Sequence, residues 1–187
     1  MILLNVGSGG GREVPAIFRS WKQHTLDIDP ACKPDIVCDA KRLATLKTRY
    51  DAIYCSHNIE HFYKHEVPVV LSGMLHVLKP DGFAYLTCPD FDALLEAIRG
   101  RDIDDTWYKV PSGSISFHDV LFGWGRQVAA GNQYYCHRTA FTGKSLGRAL
   151  KSAGFKRVMV ASDEAGNLHA YAFKAQPGSK QLKGLGL

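Results

Sequence analysis

A glycine-rich loop placed directly after a short apolar run constrains this chain more than any other feature. Residues 3–6 are apolar apart from one asparagine, as in a buried strand, and residues 7–11 read Gly-Ser-Gly-Gly-Gly. Glycine allows a tight turn and lets the backbone approach a ligand that a Cβ atom would exclude. Asp27 follows Gly7 by twenty residues, close to the spacing at which nucleotide-binding βαβ units carry an acidic ribose ligand. The pattern predicts a nucleotide-type site at the end of the first strand.

Strand-like and helix-like segments alternate along most of the chain, which is typical of an α/β fold with a mostly parallel sheet. The last two strands are joined by a short, turn-rich loop, so they are expected to run antiparallel. Asp27 and Asp35 are too close in sequence for the helix that usually connects parallel strands. We therefore predict a Rossmann-like seven-stranded sheet with an antiparallel last strand, shortened around strands two and three. The predicted strands are residues 1–6, 25–28, 35–39, 50–56, 83–88, 158–161 and 169–174.

Helices are predicted where apolar residues recur three and four positions apart. Residues 66–78 follow this pattern, and a turn at residues 79–82 is predicted to end the helix. Asp90 and Thr142 are the expected N-caps of two further helices. A shorter amphipathic helix is predicted near residues 14–21.

The length of 187 residues fits one domain, which we place at residues 1–175. Residues 100–137 are rich in aromatic residues and glycine without a clear period, and they read as an irregular insertion. Residues 176–187 read as a flexible tail that carries part of the net charge of +5. The five cysteines form no CxxC pair, and no apolar run approaches the ~20 residues of a membrane span. These features predict a cytoplasmic protein without a membrane segment.

Five segments resemble the motifs of class I S-adenosylmethionine-dependent methyltransferases, and they occur in the family's order. Residues 6–11, 26–30 and 38–40 resemble the first three motifs, with the sequences Val-Gly-Ser-Gly-Gly-Gly, Leu-Asp-Ile-Asp-Pro and Cys-Asp-Ala. Residues 50–61 and 75–83 resemble the strand-four motif of the type-11 subgroup and its turn into strand five. The resemblance implies a fold that binds S-adenosylmethionine and transfers its methyl group.

The same resemblance implies a set of cofactor-binding residues. Gly7 and Gly9 would pass close under the cofactor, and Asp27 would accept hydrogen bonds from the ribose hydroxyls. Asp39 would accept from the adenine amino group, while Ser56 would face the methionine portion. The complete implied set is Gly7, Ser8, Gly9, Asp27, Ile28, Asp39, Ala40, Ser56 and His57.

The acceptor site is expected in the insertion, because residues 100–137 are the long segment left to cover the methyl group. His118 and His137 are candidates for a base or an acceptor contact, although a purely structural role stays open for each, so the catalytic residue is unknown. We expect a small-molecule or glycan-like acceptor, and no nucleic acid, since the insertion carries no basic cluster. A homodimer is possible, because a second subunit could also supply the lid.

Three alternatives stay open. Residues 57–61 match the His-x-x-Glu-His pattern of zinc proteases, but the resemblance places such a run here without metal, so no metal is predicted. A NAD-dependent oxidoreductase would carry a glycine where Arg12 stands. The chain could also be a non-catalytic module that binds S-adenosylmethionine or S-adenosylhomocysteine.

Overall fold

A seven-stranded sheet forms the centre of the computed structural model, which describes residues 1–111 and 113–187. In chain order, the strands of the described residues are β1 (Ile2–Val6), β2 (Lys22–Asp27), β3 (Ile36–Val37), β4 (Tyr50–Ser56), β5 (Leu78–Pro89), β6 (Thr106–Val110), β7 (Gly113–Ser116), β8 (Arg157–Ser162) and β9 (Asn167–Phe173). The order across the large sheet is β3-β2-β1-β4-β5-β9-β8, and β6 pairs with β7 in a separate hairpin.

The sheet confirms the predicted α/β class. β1 runs parallel to β2 and β4, β4 runs parallel to β5, and β9 runs antiparallel to both of its neighbours. The predicted shortening is also present, since β3 has two residues and a 3-10 helix at Pro30–Cys32 stands between β2 and β3. Because the carboxyl ends of parallel strands meet at one edge of the sheet, the loops after β1, β2 and β4 converge there.

Helices α1 (Val67–Val77) and α5 (Gly143–Ser152) cover one face of the sheet, as their apolar periodicity predicts. Leu71 of α1 and Leu150 of α5 are fully buried in one core with apolar residues of the strands. Burying a leucine side chain in this way contributes about 1.5–3 kcal/mol. No helix of the described residues is long and apolar enough to cross a membrane. In chain order, these helices are α1 (Val67–Val77), α2 (Phe91–Ala97), α3 (Phe117–Phe122), α4 (Gly125–Ala129), α5 (Gly143–Ser152) and α6 (Ser179–Leu185).

Both predicted N-caps are confirmed. Thr142 Oγ1 accepts from the Ser145 N–H at 3.1 Å, and Ser145 Oγ accepts from the Thr142 N–H at 2.9 Å, so α5 begins with a capping box. Asp90 Oδ1 accepts from the Asp92 N–H at 3.0 Å at the start of α2. These bonds satisfy backbone donors that the first helical turn leaves without partners.

Aromatic side chains and the C-terminal helix cover the opposite face of the sheet. Phe18 and Phe173 are each 1% exposed there, and Leu182 and Leu185 of α6 pack against the same cluster. The sequence predicts a flexible tail at residues 176–187, whereas the structure has a helix in that segment. Although the segment is mostly polar, Leu182 and Leu185 are three positions apart, so both lie on the side of α6 that faces the sheet.

Two local predictions are wrong. The helix expected near residues 14–21 is only the 3-10 helix Ala16–Phe18, and a turn in which the Trp21 N–H donates to the Phe18 carbonyl oxygen then leads into β2 at Lys22. The turn expected at residues 79–82 lies inside β5, which starts with Leu78 paired to Tyr50 and then shifts its register against β4. Because of this irregularity, residues 79–82 can lie within the strand although their types are common in turns.

The insertion at residues 100–137 is more regular than its sequence suggests. It contains β6, β7, α3, α4 and a 3-10 helix, while Ser112 lies outside the described residues. Phe117 is fully buried against Leu94 of α2, and the Trp107 ring stacks on the Phe117 ring with centroids 5.5 Å apart. The insertion therefore shares a small apolar core with α2.

Candidate functional site

The loop after β1 owes its shape to glycine. Gly7 has φ +71° and donates its N–H to the Leu26 carbonyl oxygen at 2.8 Å, and a Cβ atom on it would collide with the Asn58 side chain. Gly9 has φ +55°, and its missing Cβ would stand at least 4 Å from any described heavy atom beyond its chain neighbours. Most residues avoid these conformations. Gly9 therefore presents bare backbone to open space, which allows a ligand to approach closely.

Asp27, at the end of β2, holds this loop in place. Its Oδ2 accepts from the Gly9 N–H at 2.8 Å, and its Oδ1 accepts from the Asp29 N–H at 3.0 Å. The residue is only 9% exposed. A carboxylate offers about four acceptor positions. Asp27 can therefore keep both backbone contacts and still accept two hydroxyl donors, as a ribose diol would require.

Asp39 forms the next part of the wall. Its Oδ1 accepts from the Lys41 N–H at 2.9 Å and caps the 3-10 helix Ala40–Thr45. The Lys41 ammonium lies 2.7 Å from Glu66 Oε1 and 3.5 Å from Asp39 Oδ2. Hydrogen bonding to Glu66 raises the pKa of Lys41, and the same contact lowers the pKa of Glu66. The Asp39 carboxylate is thus fixed at the rim with one oxygen only weakly paired.

These residues surround a cavity of about 210 Å³ at the carboxyl edge of the sheet. We call it the cofactor cavity, after the cofactor-binding residues that the sequence resemblance implies. Ser8 and Ser56 are not in its lining. Ser8 Oγ is buried and has no hydrogen-bond partner in the described part of the chain, and Ser56 Oγ shares a 2.8 Å hydrogen bond with Thr87 Oγ1. The predicted residues that do line the cavity are Gly7, Gly9, Asp27, Ile28, Asp39, Ala40 and His57.

Sequence reasoning missed two further parts of this lining. Asn58 and Phe62 follow β4, and Tyr134, Tyr135 and Arg138 come from the end of the insertion and the residues just after it. The tyrosine pair is visible in the sequence as part of an aromatic stretch. Its place beside the cofactor cavity depends on how the insertion folds back, and no local pattern indicates that.

A second cavity of about 230 Å³ opens beside the first. We call it the acceptor cavity, after the acceptor site that the sequence predicts in the insertion. His57 lines both cavities, so they meet at this residue. His137 lines the acceptor cavity, but His118 is exposed, packs its ring near Phe122 and is absent from both linings. The residues around the acceptor cavity are His57, Pro89, Tyr108, Val110, Ile115, Asp119, Val120, Trp124 and His137.

His57 has an unusual backbone at the junction of the cavities. Its φ is +46°, in the left-handed region that only a few per cent of non-glycine residues adopt. Its Nδ1 lies 3.4 Å from Glu60 Oε1, an ion-pair distance but a long hydrogen bond. Glu60 is 2% exposed, and neither carboxylate oxygen has a well-formed hydrogen bond within residues 1–111 and 113–187. A buried carboxylate with only a long contact to His57 therefore lies next to a histidine in a strained backbone conformation.

Two more imidazoles complete this cluster. His61 Nδ1 lies 3.0 Å from the Cys136 carbonyl oxygen, and its Nε2 lies 3.1 Å from the His57 carbonyl oxygen. His137 Nδ1 lies 2.8 Å from the Val120 carbonyl oxygen, and its ring meets the His61 ring edge-on at 4.9 Å. Since a carbonyl oxygen only accepts, His137 carries its proton on Nδ1 when neutral and leaves Nε2 as an acceptor.

The pKa values of Glu60, His57 and His137 are shifted in different directions by their surroundings. Burial raises the pKa of the Glu60 carboxyl, but the nearby histidines outweigh that effect and the net shift is downward. Partial burial lowers the pKa of His57, whose side chain is 47% exposed, but its contact with Glu60 outweighs that effect and the net shift is upward. Burial dominates at His137, whose pKa is lowered despite the charge of Glu60. The junction thus combines a carboxyl group whose pKa is lowered, a His57 whose pKa is raised and a His137 whose pKa is lowered.

Comparison with known sequences identifies the family. Residues 1–160 match the sequence family described as "Methyltransferase domain". The chain belongs to this methyltransferase family. A comparison with curated protein sequences finds no match.

Solved structures share the fold of this methyltransferase. The structure of the pyocyanin biosynthetic protein PhzM is 12% identical with a TM-score of 0.58, over 93% of this chain and 50% of PhzM. The plantazolicin methyltransferase BamL, in complex with a triazolic desmethylPZN analog and SAH, is 13% identical with a TM-score of 0.60, over 94% of this chain and 77% of BamL. The 1,6-didemethyltoxoflavin-N1-methyltransferase of Burkholderia thailandensis, with bound 1,6-didemethyltoxoflavin and S-adenosylhomocysteine, is 16% identical with a TM-score of 0.55, over 94% and 71% of the two chains. The methyltransferase spans about half the length of PhzM.

The His-x-x-Glu-His run of the methyltransferase does not have the geometry of a zinc-protease helix. His57 precedes the short 3-10 helix Ile59–His61, so the two histidines do not project from one α-helical face. Glu60, His61 and His137 each offer one potential ligand atom within 4.8 Å of the others. However, both nitrogens of His61 already face carbonyl oxygens, and a metal ion would have to displace one of these contacts. The absence of a metal stays a prediction.

Cys88 of the methyltransferase lies inside the sheet, so its thiol is not available as a nucleophile. It is fully buried on β5, and burial raises the pKa of its thiol far above the ordinary value. A thiol of that kind remains protonated near neutral pH and reacts poorly.

Proposed function

We propose that this methyltransferase transfers the methyl group of S-adenosylmethionine to a small-molecule or glycan-like acceptor. The observation that carries the proposal is the meeting of two cavities at His57, one with the predicted cofactor residues and one formed largely by the insertion. Methyl transfer needs two ligands held end to end, because the acceptor atom must approach the methyl carbon opposite the sulfur. Two adjoining cavities fit that requirement better than a single pocket would.

The cofactor cavity suits S-adenosylmethionine by its chemistry. The bare backbone at Gly9 leaves room for close approach, Asp27 keeps acceptor positions for a diol, and Asp39 offers an oxygen to an amino group. BamL and the toxoflavin methyltransferase, which share the fold, were solved with S-adenosylhomocysteine. A NAD-dependent reaction has less support, because Arg12 occupies the third glycine position and forms an ion pair with Asp35 at 2.7 Å.

S-adenosylmethionine supplies a methyl group that is already activated by its positively charged sulfur. The residues of the chain then have to align the two ligands and exclude water, which together can account for much of the rate. Residues 100–137 would act as acceptor-binding insertion and lid. The contacts of Tyr134 and Tyr135 with the cofactor cavity support this, since one segment would then cover both ligands.

The lining of the acceptor cavity favours a compact acceptor with an apolar face. Tyr108, Ile115 and Trp124 contribute apolar or aromatic surface. Asp119 contributes little recognition, because its Oδ1 accepts from the Gly125 N–H at 2.9 Å and its Oδ2 is held by the α3 capping box. An aromatic wall packs against a planar ring or against the apolar face of a sugar. A nucleic acid is not expected, since no lysine or arginine is among the residues described around the acceptor cavity.

Calorimetric titration with S-adenosylhomocysteine tests the cofactor assignment, with NAD as a parallel titrant. Heat from S-adenosylhomocysteine alone is expected, and binding of NAD alone would refute the proposal. Transfer is then measured by incubating labelled S-adenosylmethionine and the protein with a metabolite extract. Binding without transfer to any extract would identify a non-catalytic module.

A pair of aromatic variants tests the acceptor assignment. Trp124→Ala should lower methyl transfer to the extract and leave the affinity for S-adenosylhomocysteine nearly unchanged. Phe122→Ala is the matched control, because Phe122 is 51% exposed and lies outside the lining of both cavities. Equal effects of the two substitutions on transfer would remove the acceptor cavity from the reaction.

We also propose a cytoplasmic location and leave a homodimer as the arrangement to test. All five cysteines are free thiols, which suits a reducing compartment. Fractionation of the native host would test the location, and light scattering after size-exclusion chromatography would test the dimer. A monomer at micromolar concentration would exclude the dimer.

A further inference from the structure

We propose that the buried carboxylate of Glu60 serves both cavities, as the counter-ion of a protonated His57 and as the group that supports His137 as the proton acceptor of the reaction. The inference rests on the proposed methyl transfer. Glu60 would be a positioning residue, since it touches neither ligand cavity, and His137 would be the catalytic base.

The burial of Glu60 calls for a functional reason. Taking a carboxylate out of water is unfavourable unless donors or opposite charges compensate for the lost hydration. At 2% exposure, Glu60 has no well-formed hydrogen bond in the described parts of the chain, so the surrounding imidazoles must supply the compensation. A residue that only braced the chain would bond to backbone N–H groups, which Glu60 does not do through its side chain.

His137 has the geometry of a base. Its Nδ1–H donates to the Val120 carbonyl oxygen at 2.8 Å, which fixes both the tautomer and the direction of the ring. The remaining nitrogen, Nε2, is then free to accept a proton, and the residue lines the acceptor cavity. A small cavity of about 10 Å³ is lined by both Glu60 and His137, so the carboxylate would stabilise the imidazolium that forms.

His57 has the opposite role. Its Nδ1 faces Glu60 at 3.4 Å, and the residue lines the cofactor cavity as well as the acceptor cavity. A protonated imidazole at that position suits an anionic group, such as the carboxylate at the amino acid end of S-adenosylmethionine. When the surroundings of neighbouring titratable groups shift their pKa values in opposite directions, one group usually acts as the acid and the other as the base.

Methyl transfer to an acceptor X–H makes one bond, breaks one bond and releases one proton. A lone pair on X forms the new bond to the methyl carbon, the carbon–sulfur bond breaks, and its electron pair remains on sulfur as a neutral thioether. The proton of X moves to Nε2 of His137, which becomes positively charged beside Glu60. Release of that proton to solvent restores the starting state. The acceptor class is therefore one whose reacting atom carries a proton, a hydroxyl or an N–H group.

Other groups near the cluster have to be considered in a pH experiment. The charge of Asp163 also acts on His57, but Asp163 is paired with His169 at 2.8 Å. His61 acts on both Glu60 and His137. The thiols of Cys55 and Cys88 lie near Glu60, and burial raises the pKa of each so that both stay neutral.

Histidine NMR titration of the full chain tests the proposal without knowledge of the acceptor. His57→Asn, which suits a left-handed backbone, and His137→Gln assign the two resonances. In the wild type, His57 should titrate above and His137 below the ordinary histidine range, and the nitrogen shifts should report the Nδ1–H tautomer at His137. Ordinary midpoints for both residues, or the Nε2–H tautomer at His137, would overturn the proposal.

Glu60→Gln then tests the carboxylate itself. It should move the midpoints of both histidines to lower pH, whereas Glu96→Gln, an exposed carboxylate on α2, should move neither. Unchanged midpoints in Glu60→Gln would refute the role of Glu60. If this variant does not fold, Glu60→Asp replaces it: both midpoints should shift, since the shorter carboxylate lies farther from the rings, and wild-type midpoints would count against the proposal.

The affinity for S-adenosylhomocysteine across pH separates this proposal from the proposed function. Wild-type binding should weaken as pH rises through the His57 midpoint, and in Glu60→Gln the loss should begin at lower pH. Affinity independent of pH would refute the His57 role while leaving the cofactor assignment intact. Absence of binding at every pH would refute the proposed function, and the NMR midpoints would still decide the role of Glu60.

Discussion

Replacing Asp27 with alanine tests the cofactor site most directly, because this carboxylate has two duties. In the free protein its two oxygens accept hydrogen bonds from the Gly9 N–H at 2.8 Å and from the Asp29 N–H at 3.0 Å. In the complex it would also accept the ribose hydroxyls. Loss of hydrogen bonds to a charged group costs about 1.5–3 kcal/mol. Since each loss of about 1.4 kcal/mol of binding free energy raises the dissociation constant tenfold, the affinity for S-adenosylhomocysteine should fall about 10-fold to 150-fold.

Asp27→Asn is the matched control for this prediction. The amide has nearly the same shape and keeps one oxygen for a loop N–H, but it loses the charge and replaces the second acceptor with a donor. A neutral hydrogen bond is about 1 kcal/mol weaker than a charge-assisted one, so the expected loss is about fivefold. The graded order wild type, asparagine, alanine distinguishes a direct contact from general damage to the loop.

Isothermal titration calorimetry provides the affinities, and thermal unfolding followed by circular dichroism establishes that each variant is folded. The midpoint of unfolding should fall only modestly in Asp27→Ala, since the two orphaned N–H groups lie at a loop that water can reach. Wild-type affinity in a folded Asp27→Ala protein would refute the reasoning and remove Asp27 from the site.

Four further outcomes follow from the structure. Leu150→Ala should lower the free energy of unfolding in urea by about 2–5 kcal/mol because it opens a cavity in the core, while the exposed Lys151→Ala should change it by about 0.5 kcal/mol or less; similar losses would contradict the core assignment. Burial raises the pKa of Asp163, but hydrogen bonds from His169 and Asn167 bring it down to about 2. Its stabilisation is therefore fully present well above pH 3.8 and is lost as the pH falls from there through about 2. Acid unfolding of Asp163→Asn should lack that dependence, and identical curves would disprove it. His118→Ala should leave cofactor affinity and transfer unchanged, and a large loss of transfer would return this residue to the candidate list. Dialysis against EDTA should leave the affinity for S-adenosylhomocysteine unchanged, and a loss that zinc restores would establish a metal.

The large sheet and its main helices could be predicted because they depend on short-range patterns. Apolar periodicity identified α1 and α5, and the side chains of Asp90 and Thr142 identified the start of two helices. The small number of residues between Asp27 and Asp35 predicted the short third strand. In each case the residues that decide the outcome are neighbours in sequence.

The site was less predictable where position depends on distant parts of the chain. Ser8 and Ser56 occupy motif positions, but neither residue lines the cofactor cavity, and the hydroxyl of Ser56 bonds to Thr87 of the neighbouring strand, a contact that a pattern of residue types does not reveal. Tyr134 reaches the cofactor cavity because the insertion folds back over the sheet. The burial of Glu60 likewise requires the return of the chain near Arg138, whose N–H donates to the Glu60 carbonyl oxygen at 2.8 Å.

The two-residue strand β3 affects how the molecule behaves at high concentration. It forms one border of the large sheet, and strands at a border present unpaired N–H and C=O groups that can recruit another chain. Ile36–Val37 offers too short a ladder to act as such a template, although the Val37 side chain is 58% exposed. Because the crossover helix is missing, the sheet ends in a very short edge strand, and a short edge strand disfavours edge-to-edge aggregation. The opposite border, formed by the six residues of β8, is where protection by charge or a partner matters more.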